Sequence, residues 1–167
     1  ELFYGYVWDV NRIFGPDAEM DFESDTHLLN GSYQFEKLGK LAAFSYLIDL
    51  DNSPTNSSNT VGLRFTGDQA LNERWTVGYE ASYAYQVDAG DNPNDYAANY
   101  YKAGGSLKRT GWGTLALGYE VLGSDDGNAA FRTPLATLHA FQGWADVFLT
   151  TPNVGVRDLY VSAGTTL

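Results

Sequence analysis

The residues best equipped for chemistry stand together near the end of the chain, in "FRTPLATLHAFQGWADVFLTTPN", Phe131 to Asn153. His139 and Asp146 within it have the types of a general base and the group that orients it. Catalysis by such a pair needs a nucleophile alongside, and the stretch offers only the ordinary hydroxyls of Thr133, Thr137, Thr150 and Thr151. The chain has one other histidine, His27, and no cysteine, which removes thiol nucleophiles, thiolate metal sites and disulfides. It contains no Gly-x-Ser-x-Gly, no His-Glu-x-x-His and no phosphate-cradling glycine loop. The Asp/Asn-rich "DAGDNPND" presents hard oxygens of the kind Ca²⁺ takes, but without EF-hand spacing it reads as a solvated turn. The expectation is no catalytic site, no metal and no cofactor.

The elements that position these residues are strands. In "WTVGYEASYAYQV", the set Trp75, Val77, Tyr79, Ala81, Tyr83, Tyr85 and Val87 alternates with Thr76, Gly78, Glu80, Ser82, Ala84 and Gln86. A period of two with one apolar set is the mark of a strand. The same rhythm runs through "LFYGYVW", "LNGSYQF", "LAAFSYLIDL", "TVGLRF", "YKAGGSLK", "GTLALGYEV" and "LYVSAGTTL", giving about eight strands. In "LAAFSYLIDL" the apolar set is Ala42, Phe44, Tyr46, Ile48 and Leu50.

The connections alternate between long and short. "NRIFGPDAEMDFESDTH", "DNSPTNSSN", "DAGDNPNDY" and the residues after Leu122 are long, whereas "EKLGK", "GDQALNER" and "RTGW" are shorter. In an up-and-down meander every second connection falls on one rim, so the long ones share a rim, as in an outer-membrane barrel. Acid follows that division, with Asp17, Glu19, Asp21, Glu23 and Asp25 in the first long connection, while Lys37, Lys40, Arg74, Lys108 and Arg109 flank the short turns. Ten Lys+Arg against 21 Asp+Glu leave a net charge of −11, which repels phosphate backbones and makes nucleic acid an unexpected partner. No apolar run has the length of a membrane-spanning helix, although strands cross membranes without one.

The non-aromatic strand faces are small and polar with isolated charges, which suits a lumen. On that basis Arg64, Glu80, Gln86, Lys102 and Glu120 are expected to line a pore. Trp8, Trp75, Tyr85, Tyr96, Tyr101, Trp112 and Tyr119 lie toward strand ends, as interfacial girdles do. Within the stretch from Phe131, Thr133 can cap a helix begun by Pro134, Leu135, Leu138 and Phe141 follow at helical spacing, and Gly143 can end it. Residues 123–156 thus read as a loop insert with a short helix, folded into the lumen or across the mouth of the single domain formed by 1–167. Arg132, His139, Asp146 and Arg157 are its expected polar, constricting members. Both termini begin or end within alternating runs, which reads as an excerpt of a larger barrel.

"TPLATLHAFQGWADVFLTTP" followed by "VRDLYVSAG" resembles a motif of the bacterial alginate-export porin family, and "YGYVWDVNRIFG", "DTHLLNGSY" and "TVGLRFTG" resemble it in the same order. The resemblance implies a monomeric β-barrel of the Gram-negative outer membrane. Its partners would be membrane lipid, lipopolysaccharide and a small hydrophilic or anionic solute in passive transit. The balance of Arg64, Lys102 and Lys108 against Glu80 and Glu120 does not fit a basic channel for a polyuronate.

The full expectation is an all-β, antiparallel up-and-down transmembrane barrel acting as a channel, not an enzyme, in the outer membrane. Two other readings accompany it. A soluble barrel or sandwich that binds a small apolar ligand requires Tyr79, Tyr83, Leu117 and Phe44 to point inward. A self-associating structural protein would use a sheet with two open edges, which invite strand addition.

Overall fold

A computed structural model of the chain describes residues 1–11, 21–135 and 150–165. Its main strands are β1 (Leu2–Val10), β2 (Phe22–Phe35), β3 (Gly39–Ile48), β4 (Ser58–Ala70), β5 (Trp75–Asp88), β6 (Ala97–Arg109) and β7 (Gly113–Leu122). A two-residue pair, β8 (Ser124–Asp125) and β9 (Ala129–Ala130), precedes β10 (Val156–Gly164). One sheet of eight runs β1-β2-β3-β4-β5-β6-β7-β10, every neighbour antiparallel. The alternation therefore yields a meander with the long connections at one end and the short turns at the other. In the turn from β6 to β7, Gly111 takes φ 77, a left-handed conformation that costs a glycine little.

The sheet is open. Among the described residues β1 pairs with β2 alone and β10 with β7 alone, so each presents one free edge. A barrel requires those two strands to bond to each other. The expected transmembrane barrel is corrected to an open antiparallel sheet. The expected helix falls mostly on residues 136–149, outside the described residues.

Register assigns each side chain to a face. One cross-strand row runs Leu2, Gly31, Ala43, Leu63, Tyr83, Tyr101, Val121, Arg157. It belongs to the apolar face, which remains uncovered: Tyr83 is 44% exposed, Leu117 54% and Val161 68%. The next row toward the long-connection end, Asn30, Phe44, Gly62, Ala84, Tyr100, Leu122, lies on the opposite face. The apolar set of β3 thus shares a face with Gln86, because Phe44 pairs with Gly62 and Gly62 with Ala84. Gly62 is the space that Phe44 fills, since a Cβ there would lie 2.4 Å from the ring and 2.8 Å from Ala84 Cβ.

Burial is concentrated at the long-connection end of this second face. Ala84, Tyr96, Ala98, Leu122, Ala129, Phe131 and Val156 form one cluster, with Phe44 and Tyr100 packed against it. Phe22, Ile48 and Leu50 form another. β2 begins earlier than alternation around Leu29 suggests, because Phe22, Ser24 and Thr26 turn inward while Glu23 and Asp25 stay exposed. Tyr96, expected in an interfacial girdle, is a core residue.

Candidate functional site: a polar face and two free edges

The polar face gathers Arg64, Glu80, Gln86, Lys102 and Glu120. Lys102 pairs with Ser82, and Arg64 pairs with the same serine from the other side. Both cations therefore lie diagonal to Glu80 and within reach of it. Glu80 Oε1 accepts from Lys102 Nζ at 3.0 Å, and Oε2 from Arg64 Nη2 at 3.4 Å. Glu120 stands opposite Lys102 and accepts a hydrogen bond from the Tyr100 hydroxyl at 2.5 Å. Burial, then the bond to Glu120, hold the Tyr100 hydroxyl protonated far above the ordinary tyrosine range.

Toward the long-connection end, Gln86 is 1% exposed and acts as a clamp. Its Oε1 accepts from the Arg132 backbone N–H at 2.7 Å and from Tyr96 Oη at 3.1 Å. Its Nε2 donates to Arg132 O at 2.9 Å and to Thr60 Oγ1 at 2.9 Å. A side-chain amide thereby imitates a strand neighbour for Arg132, satisfying backbone groups that would otherwise be buried unpaired. The Arg132 guanidinium donates to Thr55 O at 3.2 Å, Asn56 Oδ1 at 3.4 Å and Asn153 Oδ1 at 3.4 Å, tying the β3–β4 connection to the segment before β10. Burial raises the Tyr96 hydroxyl pKa, and the Arg132 charge opposes that shift.

The other residues singled out in the insert do not join Arg132. His139 and Asp146 lie outside the described residues. Arg157 is in β10, exposed, in the same row as Tyr83 and so on the apolar face. Sequence reasoning missed Tyr96, Tyr100 and Thr60 as partners, since alternation gives no sign of which polar groups meet.

A groove of about 550 Å³ crosses the polar face nearer the short turns, where Gln34, Lys40, Thr66, Asp68, Glu80 and Tyr160 are among its lining. These groups can hydrogen-bond a polar molecule. Among the described residues no cluster of three or more His, Asp or Glu is placed to hold a metal.

The chain matches no family model, no curated protein and no solved structure. The alginate-export resemblance is thus corrected on two grounds, the absence of any family match and the open sheet. The channel reading goes with it, because a pore needs a closed wall, and so do the outer-membrane location and the lipid and lipopolysaccharide partners inferred from that barrel. The ligand-binding barrel fails on the same topology. Tyr83 and Leu117 are exposed, and Phe44 lies on the face opposite to Tyr83.

What the sheet does present is unpaired surface. Leu2 (76% exposed), Tyr4, Tyr6 and Trp8 occupy one edge strand, and Leu159 and Val161 the other. Tyr4 Oη bonds His27 Nδ1 at 2.8 Å, and the Tyr6 ring lies 5.2 Å from that imidazole. A hydrogen bond to Asp25 raises the Tyr6 hydroxyl pKa.

Proposed function

We propose that this chain is a structural β protein that associates with copies of itself through the free edges and apolar face of its sheet, and that it is not an enzyme. One observation carries the reading: among the described residues the two end strands of an eight-stranded sheet each pair on one side only, and the residues of its apolar face are exposed. Unpaired N–H and C=O rows template further strands. Neither edge strand carries a proline or lysine, residues that commonly block such addition.

Exposure of described residues supports the same reading, since Leu2, Trp8, Leu159 and Val161 are each at least 68% exposed. Stacking of the apolar face would cover the aromatic and aliphatic side chains that a lone copy leaves in water.

Tyr6→Lys and Leu159→Lys each put a charge in the middle of one edge. Light scattering should report multiples of 18.3 kDa for the natural chain and a shift toward one copy for the double variant. Equal masses for the two would overturn the role of the edges.

A further inference from the structure

We infer that the copies join head to tail, β10 of one pairing antiparallel with β1 of the next, in the register that sets Tyr4 opposite Val161. This rests on the self-association proposed above and specifies its geometry. β1 and β10 are each nine residues long. As the first and eighth members of a strictly alternating sheet they run in opposite directions, so joining one to the other continues the meander without a break.

Face and charge select the register. Opposed residues in an antiparallel pair project to the same face. Leu2, Tyr4 and Tyr6 must therefore oppose the set Arg157, Leu159, Val161, Ala163, which excludes every odd-numbered slip. Setting Tyr4 against Val161 puts Leu2 opposite Ala163, Tyr6 opposite Leu159 and Trp8 opposite Arg157. Two of these are aromatic–aliphatic pairs and one joins two aliphatic residues, and a guanidinium beside an indole ends the row, contacts that are favourable across strands. Sliding by two residues in one direction brings Asp9 against Asp158, a like-charge pair. Sliding by two in the other leaves Trp8 beyond the end of β10, opposite Gly155.

The chain contains no cysteine, so introduced thiols report the join directly. Tyr4→Cys mixed with Val161→Cys should give, on mild oxidation, a crosslinked dimer that requires both variants. Tyr4→Cys mixed with Leu159→Cys should crosslink about tenfold more slowly, because the longer diagonal fits disulfide geometry poorly. The double variant Tyr4→Cys/Val161→Cys should form a ladder of multiples. Dimers of either single variant alone would show like edges meeting and overturn the head-to-tail join. Equal rates for the two mixtures would overturn the register. An internal disulfide in the double variant would show the sheet joining its own edges, which also overturns the inference. Multimers by light scattering without any crosslink would overturn the join but leave self-association standing; a lone monomer would remove both.

Discussion

Replacing Gln86 by alanine should detach the segment after β9 from the sheet. The amide serves three partners besides Thr60: the N–H and the C=O of Arg132, and the hydroxyl of Tyr96. Each buried polar group left without a partner costs about 1–3 kcal/mol. Water entering the vacated space recovers part of that, so the expected loss for Gln86→Ala is about 3 kcal/mol. Gln86→Glu keeps the size but sets a buried carboxylate oxygen against Arg132 O, and should lose at least as much as the alanine variant. Urea unfolding at fixed chain concentration measures the difference. Fixed concentration matters because association adds to apparent stability. With a slope of about 1–3 kcal/mol per molar urea, the midpoint should fall by about 1–3 M. Hydrogen exchange gives a second reading, since the Arg132 amide should lose its protection while the β4–β5 amides retain theirs. A loss below about 1 kcal/mol with the Arg132 amide still protected would refute the clamp.

Three other outcomes follow from the described contacts. The Tyr100 hydroxyl should remain protonated when exposed tyrosines ionise, as read by ultraviolet titration; its raised pKa stabilises the fold fully below the unfolded tyrosine value of about 10, and that contribution should fade as pH rises above it. Gly62→Val should destabilise by about 1–3 kcal/mol in the same urea assay, because the new side chain meets Phe44 and Ala84 at once. With a net charge of −11, added salt should raise the mass measured by light scattering, and a fall would argue against copies held by apolar and backbone contacts.

Much of the sheet was legible from alternation alone. The thirteen-residue run from Trp75 to Val87 is β5 with its ends correct to one residue, and the alternation of long and short connections is the observed one. Closure was not legible, because a strand pattern describes two faces and says nothing of what its outermost edges meet. Nor was the facing of β3, whose Phe44 and Tyr46 look like members of the aromatic face. Their side depends on pairing with Gly62 and Thr60, a register set by two turns rather than by β3 itself. Of the polar residues singled out, Arg64, Glu80, Gln86, Lys102 and Glu120 share one face because each sits at an even position of a strand in matching register. The clamp on Arg132 spans 46 residues, and neither partner carries a local signal for it.

Sedimentation velocity of the natural chain across a concentration series tests self-association most directly. Association predicts species heavier than 18.3 kDa whose share grows with concentration. A single 18.3-kDa species at every concentration would contradict it.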